Sequence, residues 1–161
     1  MTIKVGDRIP STLLGLMTAD GPRPVNSDEV FKDKTVALFA VPGAFTPTCS
    51  ARHLPGFKDK RAELAGKGVD TVACLSVNDP FVMGAWAKSQ DVDSDEILML
   101  ADGNGELTRA LGLSMDATGF GMGERSQRYS MLVKDGVVEQ LNIEQGGEFK
   151  VSSAEHLLTQ L

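Results

Sequence analysis

Apolar and polar positions alternate in blocks along this chain, and the clearest block is Thr35-Val36-Ala37-Leu38-Phe39-Ala40-Val41. An apolar, β-branched run of this length predicts a strand buried on both faces. Pro42-Gly43 stops it. From Pro47 to about Ala65 the spacing becomes helical, with Leu54, Phe57 and Leu64 near one face. Pro55 is expected to kink this helix, because it removes a donor and crowds the preceding turn. Gly66 and Gly68 end it. Val69–Val77 is a second mostly apolar run, so strand, helix and strand make one right-handed crossover unit.

The pattern continues in the same style. Asn78-Asp79-Pro80 supplies a cap and a first helical position for a helix over Phe81–Lys88. Ile97–Ala101 reads as a third strand, closed by the turn residues Asp102-Gly103-Asn104-Gly105, and a short helix follows over Glu106–Leu111. Tyr129–Lys134 and Val137–Ile143 flank Asp135-Gly136, the spacing of a tight antiparallel hairpin. Ser152-Ser153-Ala154-Glu155 has the spacing of a capping box and opens a helix through about Gln160. Before all of these, a Gly/Pro-rich opening suggests a small hairpin around Ser11 to Met17. The order predicts an α/β fold, a thioredoxin-like arrangement with a central mixed sheet and helices on both faces. Residues 1–161 are expected to form a single domain.

Composition narrows the function classes. With 161 residues, 42% of them hydrophobic, the chain can bury a sizeable core. Its 22 acidic and 16 basic residues leave a net charge of −6, which disfavours nucleic acid and anionic membrane surfaces as partners. The apolar runs are too short to span a bilayer. Met1-Thr2-Ile3-Lys4-Val5-Gly6-Asp7 lacks the pattern of a signal or transit peptide, so a cytoplasmic location is expected. The two cysteines, Cys49 and Cys74, are too few for a disulfide framework and fit a reducing compartment.

One of those cysteines occupies a position that favours chemistry. In Val41-Pro42-Gly43-Ala44-Phe45-Thr46-Pro47-Thr48-Cys49-Ser50, Thr46 reads as an N-cap and Pro47 as the first helical residue. Cys49 then lies in the first turn. Unpaired N–H groups and the positive end of the helix dipole favour an anion there, and thiols so placed can have their pKa lowered from about 8.5 to roughly 3.5–7.5. A buried, inert cysteine is the competing reading of this turn taken alone.

The wider context decides between them. Pro42 to Phe57 (PGAFTPTCSARHLPGF) resembles the active-site signature of the peroxiredoxins, specifically the peroxiredoxin-5 (type II) subfamily. Ser76-Val77-Asn78-Asp79-Pro80-Phe81-Val82-Met83, Trp86, Leu100-Ala101-Asp102 and Arg128-Tyr129-Ser130-Met131 resemble the same subfamily in the same order, so the likeness spans nearly the whole chain. It implies reduction of hydrogen peroxide and small alkyl hydroperoxides by a thiolate, with no metal, haem or flavin. By resemblance Cys49 is the peroxidatic nucleophile, Thr46 the hydrogen-bonding threonine, Pro42 the proline that shields the pocket, and Arg128 the arginine that stabilises the thiolate and orients the peroxide. The chemistry suits these types, because charge moves to a departing oxygen as the S–O bond forms and fixed donors lower that barrier. Arginine stays protonated and presents a rigid fork. Arg125 lies close by in sequence, and only the Arg128-Tyr129-Ser130-Met131 match separates the two.

Regeneration needs a second thiol. Cys74 is the candidate resolving residue, but it lies within a strand while Cys49 opens a helix, and a disulfide needs Cα atoms about 4.4–6.8 Å apart. A buried, non-resolving Cys74 stands beside that reading. The segment Phe149-Lys150-Val151-Ser152-Ser153 lacks the C-terminal resolving cysteine of part of the subfamily. The chain instead resembles the plant and bacterial branch, which implies glutathione with glutaredoxin, or thioredoxin, as reductant. The resemblance also implies a homodimer, with Phe45, Phe120 and the loop Gly119–Gly123 as candidate contacts.

Three other functions compete. A thioredoxin-type exchanger needs Cys-x-x-Cys, and Thr46 stands where its first cysteine would be. A metal module would draw on Cys49, His53, Cys74 and His156, without any second paired ligand motif. A redox sensor or thiol-dependent chaperone would share the sulfenic acid but turn over little.

Overall fold

In the computed structural model, which describes residues 1–161, the chain opens with the hairpin β1 (Leu13–Thr18) and β2 (Gly21–Asn26) and the short helix α1 (Ser27–Phe31). The hairpin is longer than the expected Ser11–Met17 piece, because the proline-containing second strand pairs along its whole length with β1. It lies at one end of the sheet, where a proline's missing N–H can face solvent. β3 (Thr35–Ala40) follows, then a helical stretch with a π turn at Cys49–His53, α2 (Leu54–Asp59) and α3 (Arg61–Gly66). Next come β4 (Thr71–Ser76), α4 (Pro80–Ser89), β5 (Leu98–Ala101) and α5 (Glu106–Ala110). β6 (Ser114–Asp116) and β7 (Glu124–Ser126) make a small separate ribbon, and β8 (Tyr129–Lys134), β9 (Val137–Ile143) and α6 (Ala154–Leu158) complete the chain.

The main sheet has seven strands in the order β2-β1-β5-β4-β3-β8-β9. β3, β4 and β5 run parallel, and β1 and β8 flank them antiparallel. This is the mixed sheet anticipated, and its strand pattern explains the two-sided core. Val36, Leu38 and Ala40 of β3 point to one apolar cluster with Phe31 of α1 and Leu107 of α5. Ala37 and Phe39 point to the other, with Leu54, Phe57, Leu64, Trp86 and Leu157 from α2, α3, α4 and α6. Leu38 and Phe39 are both fully buried on opposite faces. Truncating Phe39 to alanine removes its stack on Phe57, with ring centroids 4.3 Å apart, and is expected to cost about 3–5 kcal/mol.

Local chemistry accounts for the element ends. Asp79 caps α4 through a hydrogen bond from Val82 N–H (2.8 Å), with Pro80 at the first position. Asp135 and Gly136 take φ of 48° and 79°, the paired positive values that a two-residue hairpin turn requires. The last helix differs from the reading as a capping box. Ser153, not Ser152, is its N-cap and accepts from His156 N–H, because the Ser152 hydroxyl is buried and donates to Glu144. α1 and the β6–β7 ribbon had no counterpart among the expected elements. Both are too short to establish a period.

Candidate active site

β3 delivers the chain into the turn Pro42–Thr46, and the neighbouring strand holds that turn. Asn78 Oδ1, just beyond β4, accepts from Ala44 N–H (3.0 Å) and from the Ser76 hydroxyl (2.5 Å). This is the physical work of Ser76-Val77-Asn78: one amide oxygen ties the two parallel strand ends together. Phe45 adopts φ 66°, an uncommon left-handed conformation for an aromatic residue, and is 54% exposed. A Cβ at Gly43 would sit 3.2 Å from Met122 Cε and from Thr46 Cγ2, so glycine lets the loop before β7 close on the turn.

The helix begins at Pro47, and its first bond runs from Ser50 N–H to the Thr46 carbonyl (2.9 Å). Thr46 thus sits at the N-cap position, but its hydroxyl does not cap. It donates to the Gly43 carbonyl (2.8 Å), which the tight turn brings back beside it. With its proton committed there, the hydroxyl keeps lone pairs to accept from another donor.

Cys49 to His53 then winds as a π turn, in which Leu54 N–H reaches the Cys49 carbonyl. Pro55 supplies the reason. It has no N–H for the Ala51 carbonyl, and its ring crowds that carbonyl, so a wider preceding turn relieves both conflicts. The expected kink takes this form, and a break at Lys60 divides the remainder into α2 and α3. Trp86 Nε1–H donates to Ser50 Oγ (2.9 Å) and pins the turn to α4.

Arg128 arrives from the other side of β3. The register pairs Ala40 with Tyr129, so the residue before β8 lies beside the residue after β3. Its Nη2 donates to Cys49 Sγ (3.0 Å) and its Nη1 to His53 Nδ1 (2.8 Å). His53 is fully buried, and its Nε2 lies 2.9 Å from the Ser152 carbonyl. A carbonyl only accepts, so Nε2 carries the proton and Nδ1 offers its lone pair to the arginine. Burial first, and the Arg128 charge second, push the His53 pKa down to about 3 despite the Ser152 bond, so the imidazole is neutral. A neutral acceptor is what a guanidinium needs beside it. Arg125, the other candidate arginine, instead braces loops by donating to the carbonyls of Val77 (3.1 Å) and Met122 (2.9 Å).

Pro42, Thr46 and Arg128 line an open cavity of about 590 Å³, together with Met115, Phe120 and Glu144. Cys49 is fully buried. Phe120, in a single 3-10 turn, is 86% exposed. Cys74 lies mid-strand in β4, paired across to Phe39 and Met99, and is fully buried as a free thiol. Burial, reinforced by the nearby Cys49 and only partly offset by Arg128, raises its pKa well above that of an ordinary thiol.

Cys49, His53, Cys74 and His156 do not converge, and no three His, Cys, Asp or Glu side chains are grouped as a metal site requires. Both nitrogens of His53 are already used. From the sequence His53 stands out only as a candidate metal ligand beside Cys49, and Glu144 not at all. His53 stands four residues after Cys49, a usable signal once a π turn is recognised; Glu144 sends none.

Comparison with known proteins agrees with the geometry. Residues 4–158 match the family described as Redoxin. Peroxiredoxin-2E-2, chloroplastic, of Oryza sativa subsp. japonica is 52% identical over 99% of this chain and 73% of its own. The crystal structure of reduced Prx3 in complex with hydrogen peroxide from Vibrio vulnificus matches with a TM-score of 0.94 at 50% identity, over 99% of both chains. That of peroxiredoxin 5 from Alvinella pompejana matches with a TM-score of 0.85 at 36% identity, over 98% of this chain and 96% of that one. With the thioredoxin-like sheet and these relatives in agreement, the chain belongs to the redoxin family as a peroxiredoxin of the peroxiredoxin-5 (type II) subfamily, a thiol-dependent peroxidase.

Proposed function

We propose that residues 1–161 act as one domain that reduces hydrogen peroxide and alkyl hydroperoxides at Cys49. The observation that carries this assignment is the Arg128 Nη2–H donated to Cys49 Sγ at 3.0 Å, on a cysteine in the first turn of a helix. The cation and the free N–H groups of that turn stabilise negative charge at the sulfur as it attacks. The thiolate sulfur attacks one peroxide oxygen; the S–O bond forms, the O–O bond breaks, and the departing oxygen takes a proton to leave as water or alcohol. Cys49 becomes a sulfenic acid. Arg128 faces both the sulfur and the cavity, and Thr46 accepts a hydrogen bond from the incoming hydroperoxide. Pro42 shields the sulfur from water.

An external thiol then attacks the sulfenic acid, releasing water and forming a mixed disulfide, and a second thiol reduces that disulfide. Glutathione with glutaredoxin, or thioredoxin, fills this role. Cys74 is a poor resolving residue in this arrangement, since burial keeps it protonated and a thiol is the weaker nucleophile. The exposed rings of Phe45, in the turn before Cys49, and of Phe120, at the cavity, support a homodimer joined across this edge. Two free cysteines support a reducing compartment, for which we propose the cytoplasm.

One experiment tests the assignment. One equivalent of hydrogen peroxide is added to wild type, Cys49→Ser and Cys74→Ala, and a sulfenic-acid trap and intact mass are read. Trapping in wild type and Cys74→Ala but not in Cys49→Ser is expected. Trapping that survives Cys49→Ser overturns the assignment, and an intramolecular disulfide in untrapped wild type makes Cys74 the resolving residue.

A further inference from the structure

Arg128 is held from both ends by a closed circuit of hydrogen bonds that passes through a carboxylate outside the reacting groups. Its own carbonyl accepts from Glu144 N–H (3.0 Å). The Glu144 side chain turns back, and its Oε2 accepts from Lys150 N–H (2.7 Å), Ser152 N–H (2.8 Å) and the Ser152 hydroxyl (2.6 Å). Ser152 then presents its carbonyl to His53 Nε2–H, and His53 Nδ1 accepts from Arg128 Nη1. Glu144 is only 6% exposed, so a carboxylate at this place is retained against the cost of burying it. Burial alone would raise its pKa, but the donors of Ser152, Lys150 and Val151 outweigh that and hold the pKa below the ordinary carboxylate value. It stays ionised and gathers the donors of a segment that has no helix or strand to fix it.

We propose that Glu144 is a positioning residue for peroxide reduction: by pinning Ser152 it fixes the tautomer and plane of His53, and through His53 the direction in which the Arg128 fork points at Cys49. The inference rests on the assignment of Cys49 and Arg128 made above. Remove the carboxylate and the Ser152 carbonyl is free to rotate away from Nε2. His53 then loses the partner that keeps its proton off Nδ1, and Arg128 loses its second anchor. A small misdirection of a fixed donor is enough to slow chemistry, on the order of tenfold to a hundredfold.

The test is a double-mutant cycle on the full chain with Glu144→Ala, Arg128→Ala and both, reading the second-order rate with hydrogen peroxide and the pH profile of Cys49 alkylation by iodoacetamide. Glu144→Ala is expected to slow peroxide roughly tenfold to a hundredfold and to move the alkylation profile to higher pH. In the Arg128→Ala background it is expected to do nothing further, because the group it positions is gone. Glu144→Gln, which keeps an acceptor oxygen for Ser152, is expected to restore most of the rate. Glu144→Asp keeps the charge but draws it back by one methylene; it serves if the alanine variant does not fold, and is expected to slow peroxide and shift the profile in the same directions. Additive losses in the cycle, no rescue by glutamine, or an alkylation profile that stays in place in the variants overturn the inference and leave the roles of Cys49 and Arg128 standing. An Arg128→Ala enzyme as fast as wild type overturns those roles, and this inference with them.

Discussion

Cys49 and Cys74 make a controlled comparison within one molecule. Both are fully buried, both are free thiols, and both belong to the same apolar cluster on one face of the sheet. Cys74 sits mid-strand with its backbone committed to two neighbours and no side-chain donor directed at its sulfur. Cys49 sits where a strand has given way to a helix, with a guanidinium donor 3.0 Å from its sulfur. Burial alone raises a thiol's pKa and makes it inert; the same burial strengthens a charge-assisted hydrogen bond when a cation is present. On the assignment proposed above, what sets Cys49 apart from Cys74 is therefore the direction of nearby donors, not exposure.

The largest expected effect is the complete separation of the two positions. Cys49→Ser should abolish peroxide consumption, whereas Cys74→Ala should leave the rate of sulfenic acid formation unchanged by stopped-flow. Loss of the first turnover in Cys74→Ala would break the comparison. Next comes the donor itself. Arg128→Ala is expected to lower the peroxide rate by about 10²–10³, the range for deletion of one preorganised donor, and to move Cys49 alkylation to higher pH. If the arginine's role is only its charge, Arg128→Lys would restore the rate; the fork geometry at both Cys49 and His53 says it will not.

Much of this fold follows from short-range pattern. Asp135-Gly136 fixes a hairpin because two consecutive positive φ values suit few residue pairs, and Asp79-Pro80 marks the start of α4 because a cap and a donor-less first residue coincide. The turn that carries Cys49 was legible for the same reason, since Thr46, Pro47 and Cys49 lie within one helical turn. What could not be read is what depends on register between distant strands. Arg128 and His53 are 75 residues apart, and only the antiparallel pairing of β8 with β3 brings them together. The capping reading of Ser152 failed for a related reason: its hydroxyl had a long-range competitor in Glu144 that no local motif displays. Thr46 was placed correctly but given the wrong bond, because the Gly43 carbonyl is offered by the turn's shape rather than by its spacing.

Thr46 offers a smaller test of donor direction. Its hydroxyl donates to Gly43, so toward the cavity it can only accept. Thr46→Val should then reduce the peroxide rate by roughly tenfold to a hundredfold, through misplacement of the hydroperoxide. Thr46→Ser, which keeps the hydroxyl, should lose far less. A larger loss in Thr46→Ser than in Thr46→Val would instead assign the residue's role to the shape of its methyl group.

The smallest effect concerns stability rather than rate, and it isolates the neutrality of His53. Its pKa is about 3 in the folded protein against an ordinary 6.5, so the unfolded chain binds a proton that the native state refuses. Above pH 6.5 neither state is protonated and the group contributes no pH dependence; below it, unfolding gains a proton and stability falls until the folded pKa is reached. The slope should approach about 1.4 kcal/mol per pH unit in that interval. Urea melts between pH 6.5 and 5 read it before most carboxylates titrate. His53→Gln replaces the imidazole with an amide that can donate to Ser152 and accept from Arg128 without titrating. It should flatten the slope while peroxide reduction at neutral pH is largely kept. A slope unchanged by that substitution would mean that the folded His53 takes up a proton over this interval as readily as the unfolded chain does. Arg128 would then face a cation, and the orientation that distinguishes Cys49 from Cys74 would need another source.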